Sequence, residues 1–125
     1  MATLQSAAPI IPTADMEVMR SHYEALGFEV HVHGGGYATA ARDAVRIHFR
    51  LVTPDPDSDA EPFAPGAAYL AADDADALHA EWRRSGVGET SDLFDPGFGV
   101  WEAAHTDPDG NLLRFGSPIA EAEQA

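Results

Sequence analysis

At 125 residues, 45% of them hydrophobic, the chain is one domain of ordinary size with enough apolar material for a core without disulfides. It has no cysteine, which excludes disulfides, thiolate metal sites and cysteine nucleophiles, and suits a reducing cytoplasm. Its 21 Asp and Glu against 7 Lys and Arg give a formal net charge of -14, a surface that repels nucleic acid and anionic membranes and attracts cationic ligands, or one that serves solubility alone.

No basic segment followed by an apolar stretch opens the chain, and no apolar run approaches the roughly 18 to 20 residues that span a bilayer, so a soluble, unexported protein is expected. Ala7 to Pro12 reads as a strand, with Pro9 and Pro12 putting it at a sheet edge or on a segment that leaves the sheet. Thr13 or Asp15 can cap a helix whose Met16, Met19, Tyr23 and Leu26 share one face, and Gly27 stops it. Phe28 to His33, Tyr37 to Arg42 and Val45 to Val52 read as strands, separated by Gly34-Gly35-Gly36 and by a turn at Arg42-Asp43-Ala44. Thr53 to Pro65 is rich in Pro and Asp and has little to bury, as expected of a linker.

The same order then returns. A strand over Ala67 to Ala72 precedes a helix from Asp74 with Ala75, Leu78 and Trp82 inward, followed by strands at Val87 to Leu93, Val100 to Thr106 and Leu112 to Gly116. Asp107-Pro108-Asp109-Gly110-Asn111 is a tight turn joining the last two. Asp15 and Asp74 are 59 positions apart, and so are Gly27 and Gly86. The chain is therefore read as one domain of two copied strand-helix-strands modules: module one at 5–53, a linker at 54–65, module two at 66–118 and a frayed tail at 119–125. The seam between the copies is the place to look for a site.

These pieces carry a resemblance. Ala8-Pro9-Ile10, His22-Tyr23 to Leu26-Gly27-Phe28, Tyr37 through Arg42-Asp43-Ala44-Val45, Asp76 through Trp82, Phe98-Gly99 and Asp107 through Asn111 stand in the order found in the vicinal oxygen chelate superfamily. That superfamily includes glyoxalase I, extradiol dioxygenases and fosfomycin and bleomycin resistance proteins, and within it the chain most resembles the bleomycin resistance proteins. The resemblance implies an α+β fold in which two βαβββ modules in tandem form a curved mixed sheet around a cleft. It also implies a homodimer whose clefts form between subunits, sometimes with the N-terminal strand exchanged.

Enzymes of the superfamily hold a divalent metal on the first and last strands of each module. Carried over, those positions fall at Ala8, His48, Ala67 and Arg114, of which one alone could ligate an ion. Three or more donors are normally needed, so no metal and no cofactor are expected there. The alternative is a metal-dependent lyase, isomerase or dioxygenase with a displaced ion around His31, His33 and His48; the plainer reading leaves the first two on a solvated face. His22 and His79 are expected to face solvent, and His105 to lie on a sheet face. No Gly-x-Ser-x-Gly elbow or phosphate-cradling loop opens a helix.

The resemblance places Tyr37 and Phe98 where the bleomycin binders set aromatics against the drug's flat rings, with Tyr69 in place of a strand tryptophan. Trp101 and Glu102 adjoin on the strand entering the final turn, and Glu102, Asp92 and Asp95 are candidate partners for a cationic tail. Tyr69 and Trp101 stand even between groove and core, because one residue of register changes the face. Phe28, Phe49 and Phe115 are expected in the core, and Trp82 between helix and sheet. The ligand-binding set is thus Tyr37, His48, Tyr69, Phe98, Trp101, Glu102 and Arg114, with no catalytic residue. The expected function is cytoplasmic sequestration of a cationic, planar, bleomycin-like antibiotic, and hence resistance, with neither nucleic acid nor membrane as a partner.

Overall fold

Asp15 starts the first helix: its carboxylate accepts from the N–H groups of Glu17 and Val18 at 3.0 and 3.1 Å, two donors that the first turn leaves without intrahelical partners. Asp74 does the same for the second helix through the N–H of Ala77 at 3.0 Å. Asp15→Ala is expected to cost about 1 kcal/mol in urea unfolding at constant m-value; an unchanged midpoint would show that the cap is dispensable.

The computed structural model describes residues 1–53 and 64–119. Residues 54–63 of the expected linker, and the expected tail beyond Ile119, lie outside the described residues. The elements run β1 (Ile10–Thr13), α1 (Met16–Ala25), β2 (Glu29–Gly34), β3 (Tyr37–Arg42), β4 (Val45–Leu51), β5 (Ala67–Ala71), α2 (Ala75–Ser85), β6 (Glu89–Thr90), β7 (Val100–Thr106) and β8 (Leu112–Pro118). They form two four-stranded sheets of like order, β1-β4-β3-β2 and β5-β8-β7-β6. In each, the first strand pairs in parallel with the last and the other pairings are antiparallel. The fold is α+β with tandem βαβββ modules. No helix among the described residues is long and apolar enough to cross a membrane.

Two strands differ from expectation by three residues or more at one end. The first begins at Ile10 rather than Ala7, and its Pro12 is tolerated because β1 is an edge strand. The strand expected over Val87 to Leu93 shrinks to Glu89–Thr90, after which Phe94 bridges Glu102. Between the pairs Thr90–His105 and Phe94–Glu102 the outer chain carries one residue more than β7, which is a bulge.

Strand alternation sends Ile11, Ala38, Ala40, Ile47 and Phe49 of the first sheet, and Ala103, Leu113 and Phe115 of the second, into one core with Met19, Tyr23, Leu26, Ala75 and Trp82 of the helices. Phe28, Phe49 and Phe115 are core residues as expected, and the Trp82 indole N–H donates across the seam to the Leu26 carbonyl at 3.1 Å. Because both sheets turn a face to this shared core, their other faces point outward on its two sides.

The seam also contains a contact that corrects the expectation for His22. That side chain is buried, not solvent-facing, and its Nε2 lies 2.9 Å from Nε2 of His105, which is fully buried on β7. His22 follows Met19 by three residues and precedes Tyr23, so it falls on the margin of the apolar face and meets the second module there. Burial lowers the basicity of both imidazoles. For His105, burial and then the nearby His22 bring the pKa down to about 4, while for His22 the carboxylates of Asp107 and Asp109 act in the opposite direction to burial. Gly88 closes over the pair: a Cβ there would lie 2.6 Å from His105 Nε2 and 2.7 Å from His22 Cε1.

Candidate functional site

On the open face of the second sheet, register puts Tyr69 beside Arg114, and Gly116 beside Glu102. Gly116 has a structural reason to be glycine, because a Cβ there would fall on the Tyr69 hydroxyl and lie 2.9 Å from the Trp101 carbonyl. The tyrosine can therefore lie across the sheet and reach Glu102, with which its hydroxyl hydrogen-bonds. Arg114 Nη2 donates to Glu102 Oε2 at 3.2 Å. The Glu102 side chain is only 4% exposed, whereas that of Arg114 is 50% exposed. A carboxylate on the outward side of the sheet is thus covered by one half-exposed phenol and one half-exposed guanidinium. Desolvation first, and the Glu102 charge second, raise the Tyr69 phenol above its ordinary pKa and keep it a donor.

Phe94 joins this face through its bridge to Glu102 and is about half exposed, while Phe98 in the loop before β7 is largely exposed. Phe94 is absent from the sequence-derived set. The periodicity breaks at the bulge, and no strand signal reaches it.

The first sheet's open face carries Ile10, His48, Thr39 and His31 in one cross-strand row. The Tyr37 hydroxyl is 2.7 Å from His48 Nδ1, with the two rings nearly perpendicular at 88°. His33 Nε2 lies 2.8 Å from the Thr39 hydroxyl, and His31 Nε2 lies 3.0 Å from Glu29 Oε1. The three histidines of the displaced-metal alternative are thus turned to three different partners, and no group of three or more His, Asp or Glu among the described residues could hold a metal ion.

The register also shows which first-strand residues face the last-strand positions His48 and Arg114. Ile10, not Ala8, stands opposite His48, and Tyr69, not Ala67, stands opposite Arg114. Isoleucine, imidazole, phenol and guanidinium do not make a donor set for a divalent ion.

The structure therefore sorts the seven sequence-derived residues. Tyr69, Glu102 and Arg114 meet on one open face, Phe98 is exposed in the loop before β7, and Tyr37 and His48 meet on the other sheet, across the core. Trp101 alternates away from Glu102, pairs with Ser117 and packs against the core. Asp92 is engaged by Arg83 at 2.6 Å, and Asp95 accepts from the Gly97 N–H at 2.8 Å.

Residues 4–115 match the family profile described as Glyoxalase/Bleomycin resistance protein/Dioxygenase superfamily. The chain belongs to that superfamily. Its fold is shared with a bleomycin-binding protein solved in complex with bleomycin, at 23% identity and TM-score 0.76, over 93% of this chain and 100% of that one. A bleomycin resistance determinant encoded on the transposon Tn5 superposes with TM-score 0.76 at 25% identity, covering 94% of this chain and 100% of the other. A bleomycin-binding protein from Streptomyces verticillus, in complex with copper(II)-bleomycin, gives 0.74 at 23% identity over 95% and 100% of the two chains. No curated protein sequence matches the chain.

Proposed function

We propose that the protein is a metal-independent binder that sequesters a planar, cationic, bleomycin-like drug and confers resistance without transforming it. The observation that carries this reading is the Glu102 carboxylate, held on an open sheet face by Tyr69 and Arg114 beside exposed aromatic side chains. A flat ring system stacks on such side chains for about 0.5 to 1.5 kcal/mol each, and an approaching cation competes with Arg114 for the carboxylate. The fold shared with proteins whose structures contain bleomycin supports the choice of drug. A cytoplasmic location accompanies this reading, in keeping with the cysteine-free sequence.

The same reading includes a homodimer. Tyr37 and His48 lie across the core from Tyr69, Glu102 and Arg114, so a cleft using both groups sets the first sheet of one copy against the second sheet of another. Calorimetric titration with bleomycin tests the reading: saturable binding at one drug per composite cleft is expected, and absence of heat at high micromolar drug rejects this ligand. Glu102→Gln keeps the shape and removes the charge, and should weaken binding about tenfold, the difference between a charged and a neutral acceptor. An unchanged affinity would remove Glu102 from the site.

A further inference from the structure

A second hollow lies between the modules, away from both open sheet faces. The turn between β3 and β4 faces the end of β5 and the first turns of α2 across a space of about 400 Å³. Its floor is apolar and belongs to the core, with Phe28, Leu70 and Trp82 all buried, and Val45 and Leu78 extend it upward. Its rim is charged: Arg42 stands with Asp43, Asp73, Asp74 and Glu81, one cation against four carboxylates.

The single cation is already committed. Arg42 Nη1 and Nη2 donate to the two Glu81 oxygens at 2.7 and 2.9 Å, Nη1 also donates to the Leu26 carbonyl at 2.8 Å, and Nε lies 3.7 Å from Asp43. Its hydrogen bond to Glu81 is the main cause of a raised guanidinium pKa. Arg42 is thus a fixed strut from module one to α2, and no rim group is left to receive an anion. Asp74 spends one oxygen on the α2 cap. Asp73, and Asp43 apart from its 3.7 Å approach to Arg42, keep exposed carboxylates at the rim.

We infer that this inter-module hollow is a second ligand site, and that it takes a small amphiphilic organic cation, its apolar body against Val45 and Leu78 above the buried floor and its ammonium group at Asp43 and Asp73. All its residues come from one chain. The site is therefore complete in a monomer, and it neither uses nor requires the bleomycin-like reading of the open sheet faces.

Three probes of one shape test it: 1-naphthylmethylammonium, 1-naphthalenemethanol and 1-naphthylacetate, titrated into the full chain and followed by amide chemical shifts in NMR. The ammonium is expected to bind tightest and the acetate weakest, with the shifts centred on Val45, Leu70 to Asp74 and Leu78. Asp43→Asn and Asp73→Asn should each weaken the ammonium about threefold, as loss of one exposed charge pair does, and leave the alcohol unchanged. Ala77→Phe, at an exposed lining position, should fill the hollow and abolish binding of the ammonium and the alcohol alike. Shifts centred on Tyr69, Glu102 and Arg114 instead would overturn the inference, as would equal affinity for ammonium and acetate, no binding by any probe, or full binding to the Ala77→Phe variant. Bleomycin titration reads a different face, so failure of either proposal leaves the other standing.

Discussion

Lowering the pH from above 6.5 to about 4 will remove about 3 kcal/mol of folding stability through one buried imidazole pair. The two facing Nε2 atoms are 2.9 Å apart, and the Thr90 hydroxyl stands 2.7 Å from His105 Nδ1. In either tautomer arrangement one hydrogen lies between the rings. Protonating the ring that accepts in this contact would set two N–H groups face to face, with Trp82 packed against His105 and Gly88 closing the remaining side. The acids nearest the pair, Asp107 and Asp109, act on His22 and only partly offset its burial.

The sign follows from which state takes the proton. Below 6.5 an unfolded histidine is protonated while the folded His105 stays neutral, so the unfolded state binds more protons and stability falls as pH falls. The contribution is whole above the unfolded value and gone once pH passes about 4. Urea unfolding across this window, for the parent chain and for the double variant His22→Gln/His105→Gln, isolates it from the carboxylates common to both. The variant should be the less stable at neutral pH and its stability should vary less with pH; parallel curves would show that the pair does not titrate with folding.

Nothing in the sequence reveals this pair, because its two members are 83 positions apart and each sits in an ordinary local context. Local rules do better where one residue answers to its own neighbours. Asp15 and Asp74 cap their helices, Pro12 stays on an edge strand, and Phe49 and Phe115 alternate inward. The repeat of 59 positions reappears as two sheets of one strand order, and Ile10 and Tyr69, again 59 apart, each stand opposite the position carried over from the metal enzymes. The residues that face His48 and Arg114 on the first strands stand two positions beyond Ala8 and Ala67, and flanking alanines give no signal of that register. The face of Trp101 and the bulge that brings Phe94 to Glu102 are likewise questions of pairing, which a single strand's pattern leaves open. Tyr69, Glu102 and Arg114 are each legible in the sequence as candidates, but their meeting depends on Gly116, whose lack of a side chain reads in sequence as a weak strand position.

Replacing Asn111 with alanine should cost about 3 to 5 kcal/mol, although in sequence it is only the last residue of a tight turn. The side chain is fully buried. Its Nδ2 donates to the Pro12 carbonyl at 2.8 Å and to Asp107 Oδ2 at 3.0 Å, and its Oδ1 accepts from the Gly66 N–H at 2.7 Å. One amide thereby ties β1 of the first module, the entry to β5 and the turn itself. Asp107 extends the clasp: Oδ1 accepts from the N–H groups of Asp109 and Asn111, both at 2.9 Å, and Oδ2 from the Tyr23 hydroxyl at 2.8 Å. Burial and that carboxylate hold the Tyr23 phenol far above its ordinary range, so it remains a donor at every accessible pH.

Alanine at 111 would strand a carbonyl, an N–H and part of a carboxylate, each worth about 1 to 3 kcal/mol when buried without a partner, with some return as water enters. Tyr23→Phe should cost less, about 1 to 2 kcal/mol, because Asp107 keeps its other donors. Since Asn111 and Tyr23 donate to the same oxygen, the double variant should depart from additivity by 0.5 kcal/mol or more, that being about the lower bound for residues in one network. Urea unfolding of the four chains measures both quantities. A loss below about 1 kcal/mol for Asn111→Ala would show that water replaces the amide without penalty, and the turn would then be a connection and not a clasp.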